Sequence, residues 1–191
     1  MDINWTDPKM IALVVGVLLV IALGVALYMR KRSHTTAQLK NRFGSEYDRA
    51  VLQHGSERKA EAKLDDRETR VEKLKIRDLD VAERTRFLAQ WQAAQTRFVD
   101  YPKGAVTEAD ELVSSLMQTR GYPVADFDQR AADISVDHPR VVENYRSAHA
   151  IALRLRLGEV STEDLRTAMI HYRSLFDELV QVQPTTGIKV A

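Results

Sequence analysis

The chain has 191 residues, no cysteine, and 28 basic against 27 acidic side chains, which leaves a formal charge of +1 at pH 7. This length fits one modest domain with an additional segment. The lack of cysteine excludes disulfides, thiolate catalysis and cysteine-ligated metal centres, and the near-zero charge argues against a chain built to bind a polyanion.

An apolar segment at residues 10–29, MIALVVGVLLVIALGVALYM, contains no charged side chain. About 20 helical residues span roughly 30 Å, the thickness of the hydrocarbon core of a bilayer. Trp5 before the segment and Tyr28 near its end suit the two membrane interfaces. The sequence therefore predicts a transmembrane helix at residues 10–29, preceded by a short tail at residues 1–9. A cleaved signal peptide is the alternative, which the acidic start and the length of the apolar segment disfavour.

Basic residues crowd the C-terminal side of this segment. The positive-inside rule places that side in the cytoplasm and the N-terminus outside, and the same charges attract the anionic headgroups of membrane lipids. We therefore predict a single-pass protein of the plasma membrane with almost the whole chain in the cytoplasm. A basic collar at the membrane surface would consist of Arg30, Lys31, Arg32, Lys40 and Arg42.

The block RFGSEYDRAV at residues 42–51 places a glycine among helix-forming residues. Gly44 suits the position just after a helix, where a left-handed backbone favours glycine. Ser45 is expected to cap the next helix, with Asp48 as a weak acidic partner, and that helix should end near Gly55. We interpret Gly44 and Ser45 as a hinge.

Residues 30–79 are predicted to be a basic juxtamembrane region followed by a charged helical stalk. The apolar side chains between residues 57 and 78 recur at heptad-like spacing, but Arg67 interrupts the seam. A coiled coil needs three or four clean heptads, so we favour a solvated helix held by i,i+4 charge pairs and keep a short dimer zipper as the alternative. The seam consists of Ala60, Leu64, Val71 and Leu74.

Residues 80–182 show helical periodicity and no clear strand pattern. Asp80 followed by Glu83 resembles a capping box, and four substantial amphipathic helices with short connections are enough to bury one core. The fold class is therefore predicted to be all-α: one N-terminal transmembrane helix, a charged helical stalk, and a small bundle of about four to five helices. A flexible tail is expected at residues 183–191.

No residue pattern predicts catalysis. His138, His149 and His171 are far apart, and none stands four residues from a second metal ligand. Neighbouring carboxylates such as Asp110 and Glu111 do not face each other on a helix, and nucleotide-binding and hydrolase motifs are missing. We therefore expect no enzymatic activity, no cofactor, no metal site and no nucleic-acid partner.

The longest connection of the distal domain, around residues 120–143, concentrates polar side chains near two prolines. Connections held by a rigid scaffold often carry function. A network of caps and ion pairs that fixes the turn is the favoured interpretation, and a partner-binding face is the alternative. The candidate partner-binding residues are Tyr122, Asp126, Asp128, Arg130, Asp137, His138 and Arg140.

Four blocks of the chain together resemble an uncharacterised family of bacterial helical proteins with one N-terminal membrane helix. The blocks are RFGSEYDRAV, RFVDYPKGAVTEADELV, RGYPVADFDQRAADISVDHPRVVENYRSAH and STEDLRTAMIHYRSLFDELV. The resemblance spans about residues 40–180 and implies a bacterial source, hence the bacterial inner membrane, and the same layout. It implies no activity, because no function is established for that family.

The expected function is protein–protein interaction or scaffolding at the membrane by the cytoplasmic helical domain. The partner would be a different protein or another copy of this chain in a homo-oligomer. A membrane-tethered regulatory or sensor domain is the alternative, and an enzyme without a recognisable motif is a third. An interaction domain should expose an apolar patch of a few hundred Å², whereas an enzyme should close a pocket around converging polar groups.

Overall fold

The computed structural model describes residues 36–181. The chain divides between Asn41 and Arg42 into two compact units. In the first unit the described residues, 36–41, are helical. The second unit is described from Arg42 to Gln181.

The described part of the second unit is built from α-helices and contains no strand, which confirms the all-α prediction. The turns between the helices are short, except for the linker after the second helix and the connection around residue 123. The helices are α1 (Ser45–His54), α2 (Glu57–Val71), α3 (Val81–Arg97), α4 (Pro102–Thr119), α5 (Phe127–Asp137), α6 (Val142–Leu157) and α7 (Thr162–Val180).

The structure contradicts one part of the predicted fold class, the transmembrane helix. Among the described residues, no helix combines the length and the apolar composition needed to cross a membrane. Each helix from α1 to α7 carries charged side chains, which the core of a bilayer tolerates poorly. The segment on which the prediction depended, residues 10–29, lies outside the described residues, as do the tails at residues 1–9 and 183–191.

The capping box predicted at the start of α3 is present. The backbone N–H of Glu83 donates to Asp80 Oδ1 at 2.7 Å, and the Glu83 carboxylate accepts from the backbone N–H of Asp80 at 3.1 Å. Arg77 donates two further hydrogen bonds to Glu83. These bonds, first from Arg77 and then from the Asp80 backbone, lower the pKa of Glu83 to about 2. Local polar chemistry therefore determines where α3 begins.

Helices α3 to α7 form a bundle around one apolar core. Helix α7 lies at its centre and packs against α6, α4 and α3. Phe176 of α7 is buried and stacks on Trp91 of α3, with ring centroids 4.7 Å apart. The buried positions of α7 recur every three or four residues, as expected for a helix with one face in a core. They are Leu165, Ala168, Met169, Tyr172, Leu175, Phe176, Leu179 and Val180.

Helices α1 and α2, with residues 42–44, form an antiparallel hairpin (residues 42–71). Arg42 pairs with Glu68 at 2.8 Å near its open end, and Tyr47 Oη donates to Glu61 Oε1 at 3.1 Å nearer its turn. Besides packing on α1, helix α2 packs on α5 of the bundle. The buried apolar residues of the hairpin do not belong to the core of the bundle. They are Phe43, Tyr47, Ala50, Ala60, Leu64 and Val71.

The helix predicted to be a solvated stalk, α2, packs on the rest of the chain along its apolar seam. Ala60, Leu64 and Val71, three of the four seam residues, are buried by this chain itself. The fourth, Leu74, lies beyond the end of α2 and packs against the core of the bundle. The seam is therefore covered without a second chain, which leaves a dimer zipper no apolar surface on this face.

The linker after α2 lies tightly against the end of α4. The backbone N–H of Arg77 donates to Arg120 O at 2.8 Å, and the buried Arg120 guanidinium donates to Arg77 O at 3.2 Å and to Leu179 O at 3.2 Å. Gly121 has φ +102°, and a Cβ there would collide with the carbonyl oxygen of Lys75. Glycine is required here by both backbone conformation and space.

Candidate functional site

Tyr122, Asp137 and His138 of the predicted partner-binding set make contacts at the C-terminal end of α5. Tyr122 is buried, and its Oη donates to Asp137 Oδ2 at 2.8 Å. His138 is also buried, with Nδ1 3.2 Å from Glu178 Oε1 on α7. Burial lowers the pKa of His138, against the opposing effect of the hydrogen bond with Glu178. These contacts fix the C-terminal end of α5 against the connection that precedes the helix and against α7.

The rest of that set does not form a continuous surface with these residues. Asp126 Oδ1 accepts from the backbone N–H of Gln129 at 2.8 Å and so caps α5, and Arg130 Nη1 donates to Ser114 Oγ on α4 at 3.1 Å. Asp128 and Arg140 are exposed. The contacts of this connection are a helix cap and side-chain hydrogen bonds, and the partner-binding face stays a prediction.

The three histidines of the bundle are each held by a different neighbour. His149 stacks on Phe127, with ring centroids 3.6 Å apart, whereas His171 Nδ1 lies 3.1 Å from Asn144 Oδ1 and His138 faces Glu178. Within residues 36–181, no three His, Cys, Asp or Glu side chains are grouped so that they would hold a metal ion. The geometry therefore does not bring these imidazoles together for shared chemistry.

The block RFGSEYDRAV contributes a buried carboxylate to the contact between hairpin and bundle. Glu46 of α1 is only 3% exposed. It accepts from Arg146 of α6 at 2.9 Å (Nε to Oε1) and 3.0 Å (Nη2 to Oε2), and from Arg67 of α2 at 3.4 Å. Burial lowers the pKa of the Arg67 guanidinium, although Glu46 partly offsets this effect. A bidentate arginine contact of this kind fixes geometry as well as charge.

A second buried carboxylate lies where α2 meets α5. Asp133 is 1% exposed, and its Oδ1 accepts from Arg70 Nη2 at 2.6 Å, from Arg70 Nε at 2.8 Å and from Gln129 Nε2 at 2.8 Å. Its Oδ2 is buried and has no hydrogen-bond partner. Together the two sites form one charged cluster between hairpin and bundle, defined as Glu46, Arg67, Arg70, Asp133 and Arg146.

A cavity of about 340 Å³ opens beside Glu46, between α1 and α6. Two acidic and two basic side chains line it, so its walls carry no net charge. Arg49 and Glu143 are exposed there, and Glu46 and Arg146 pair with each other. The full lining is Ser45, Glu46, Arg49, Glu143, Arg146, Ser147 and Ala150.

The chain turns at Gly44, where the hinge is predicted, although the cap of the next helix differs from the prediction. Gly44 has φ +52°, in the left-handed region that favours glycine, and itself occupies the N-cap position of α1. Ser45 is the first helical residue, and no side chain caps this helix. Of the predicted basic collar, Arg42 pairs with Glu68 and Lys40 is exposed, while Arg30, Lys31 and Arg32 lie outside the described residues.

The directions of the helices place two turns at the same end of the bundle. Asp110 of α4 accepts from Tyr172 of α7 at 2.9 Å, and Arg120 reaches Leu179 O, so α4 and α7 run parallel. At 1.5 Å per residue, Asp110 is about 12 Å from the start of α4 and Tyr172 is about 15 Å from the start of α7. The α3–α4 turn and the α6–α7 turn are therefore neighbours.

Four exposed apolar side chains are found at these neighbouring turns. Val99 and Tyr101 of the α3–α4 turn are 82% and 62% exposed, and Leu157 and Leu153 at the end of α6 are 73% and 46% exposed. We call this surface the bundle end, defined as Val99, Tyr101, Leu153 and Leu157. A groove of about 330 Å³ between α3 and α4 lies next to it and is bridged by the pair of Arg97 and Glu108 at 2.8 Å.

Reasoning from sequence missed both the charged cluster and the bundle end. One signal for the cluster was visible, since Arg67 interrupts an otherwise apolar seam, and that arginine faces the buried Glu46. The bundle end had no sequence signal, because isolated valines and leucines in turns are common on protein surfaces. Their common location depends on which way each helix runs.

No family model, no curated protein and no solved structure matches this chain. The resemblance to a bacterial membrane-anchored family therefore stays a prediction.

Proposed function

We propose that the bundle is a protein-interaction module that contacts its partner through the bundle end. The observation that carries this proposal is the clustering of exposed apolar side chains. Nine large apolar side chains are exposed among the described residues, and four of them lie at this one end. Single exposed apolar side chains need no explanation, but a group of them is typical of contact surfaces.

The surroundings of these side chains suit an interface. The ion pairs Arg97–Glu108 and Arg154–Asp164 lie near the same helix ends, and charged groups beside apolar ones are common at the edges of interfaces. The ring of Tyr101 lies against Gly104, where a Cβ would collide with it. A tyrosine held in this way loses less conformational freedom on binding than a freely rotating one.

The size of the bundle end favours a transient contact with a different protein. Four side chains supply a few hundred Å² of apolar surface, whereas stable complexes bury about 800 Å² per partner. We therefore expect binding and release rather than a permanent homodimer.

Site-specific photo-crosslinking in cells that produce the protein tests this proposal. A photoreactive amino acid replaces Leu157 at the bundle end or, as the matched control, Ile170, which is exposed but about 12 Å along α7 from its start. We expect discrete adducts from position 157, few from position 170, and loss of the adducts at 157 when Tyr101→Glu is added. Equal adduct formation at both positions would contradict the proposal, and an adduct of twice the chain mass would identify a second copy as the partner.

A further inference from the structure

The hairpin and the bundle keep separate apolar layers. None of the buried apolar residues of the hairpin belongs to the core cluster of the bundle, which is built from residues between Leu79 and Val180. Phe43, Tyr47 and Leu64 are nevertheless fully buried. Movement of the hairpin as one body would therefore leave the core of the bundle intact.

The hydrogen bonds described between the hairpin and the bundle join charged side chains. Arg146 holds Glu46 from the side of the bundle, and Arg70 holds Asp133 from the side of the hairpin. Removing ions from water costs about as much as their pairing returns, so a buried ion pair contributes little net stability while both partners are present. The charged contacts therefore add little to the stability of the closed arrangement, and they do so only while each charge has its partner.

The covalent connection allows rotation at one place. Residues beyond Lys75 are held by Arg120 and by the close approach of Gly121. Between the end of α2 and Lys75, single turns link Lys73 N–H to Arg70 O at 3.2 Å and Leu74 N–H to Val71 O at 2.9 Å. Leu74 itself packs on the core of the bundle, so rotation about Glu72 and Lys73 would move the hairpin without disturbing Leu74 or the fixed part of the linker.

Helix α5 is covered on two sides. Ala131 and Ile134 belong to the core of the bundle, whereas Ala132 and Val136 are buried but lie outside that core. Asp133 of the same run faces Arg70 of the hairpin. A helix buried over six consecutive residues, 131–136, needs neighbours on opposite faces, and the hairpin supplies one of them.

From this geometry we propose that the hairpin is a hinged lid over α5, held closed by the charged cluster. In the closed state Asp133 and its neighbours on that face of α5 are hidden. Opening separates Glu46 from Arg146 and Arg70 from Asp133, so each charge becomes hydrated and this face of α5 becomes accessible. The lid is a conformational device independent of the bundle end, whose four side chains lie at the turns next to the starts of α4 and α7.

Distance measurement between two spin labels on the full chain tests the lid. The chain has no cysteine of its own, so Leu52→Cys on the hairpin and Ala150→Cys on α6, both exposed positions, give a single label pair. Glu46→Gln removes the carboxylate that both Arg67 and Arg146 contact. We expect this variant to increase the population at longer distances at least fivefold, on the order of 1 kcal/mol in the opening equilibrium.

Glu83→Gln is the matched control, because it breaks the Arg77–Glu83 pair and leaves the charged cluster untouched. This control should leave the distance distribution as it is in the parent. An unchanged distribution in Glu46→Gln, with helical circular dichroism retained, would overturn the proposal.

If Glu46→Gln fails to fold, hydrogen exchange on the unsubstituted chain tests the lid instead. We expect amides of α1 and α2 to exchange as one group, roughly tenfold or more faster than amides of α7, because two helices detached from the bundle are not stable alone and so lose their backbone hydrogen bonds in the open state. Exchange of both groups at the same rate would mean that hairpin and bundle open only together, which would also overturn the lid.

Discussion

The hairpin and the bundle are both helical, but different forces hold them together. The bundle buries large aromatic side chains around α7, such as Phe176 stacked on Trp91. The hairpin buries fewer large side chains and has charged residues where it meets the bundle. Two helices of this length bury too little apolar surface to be stable alone. The hairpin therefore depends on the bundle, whereas the bundle has a complete core of its own.

This difference shows how the highly charged sequence of α2 is accommodated. Ala60 and Leu64 are buried against the hairpin's own layer, and Arg67 and Arg70, two residues that look solvated in sequence, each point to a buried carboxylate. Charged residues on one helix thus serve either as solvated surface or as specific contacts. The position of a complementary charge elsewhere in the fold distinguishes the two.

The largest effect is expected when one buried side chain is truncated in the bundle and, for comparison, one in the hairpin. Phe176→Ala should destabilise the bundle by about 3–5 kcal/mol, because it leaves a cavity beside Trp91. Leu64→Ala is also a truncation at a fully buried site, but we expect it to release the hairpin while the bundle unfolds at nearly its original urea concentration. Urea titration followed by circular dichroism, and by the fluorescence of Trp91 in a Trp5→Phe background, measures both. A single shared transition, shifted equally by both variants, would show that the two parts are one cooperative unit.

A second test concerns the fixed end of the linker. Gly121→Ala combines a left-handed backbone with a collision against Lys75 O, so we expect a loss of about 3 kcal/mol or more. Gly158→Ala is the matched control, since Gly158 has φ +80° and open space around it, and should cost only about 1–2 kcal/mol. Thermal unfolding measures both losses. Equal losses in the two variants would show that the linker shifts easily and is not fixed at Gly121.

The smallest expected effect is at the hinge. Gly44→Ala meets no neighbouring atom, but the left-handed φ of +52° disfavours any side chain. Gly44 also has ψ −126°, outside the left-handed α region, so we expect a cost of about 1–3 kcal/mol, confined to the hairpin. Hydrogen exchange should show faster exchange in α1 and unchanged protection in α7. Loss of protection throughout the bundle would contradict the interpretation of Gly44 as a joint.

Much of the helical architecture was predictable because its causes are local. The capping box at Asp80, the helix that ends at Gly55 and the apolar stripe of α7 all follow from residues within a few positions of one another. Helix caps in the connection around residue 123 were also predictable, since Asp126 caps α5 and aspartate is a preferred N-cap residue. The stalk was described incorrectly, because a charged helix in sequence gives no sign of whether another part of the fold covers its apolar seam.

The elements themselves, their ends and their inward faces were already determined by the order of residues, because hydrogen bonding along a helix and apolar periodicity act over three or four residues. The pairing of Glu46 with Arg146, one hundred residues apart, and the placement of Leu157 and Val99 at the same end of the bundle arise only when the helices pack. No local pattern encodes such pairs, since helices of similar amphipathic character are able to pack in several orders and directions. Specific contacts such as the charged cluster favour one of these arrangements because a buried carboxylate without its arginine is strongly disfavoured.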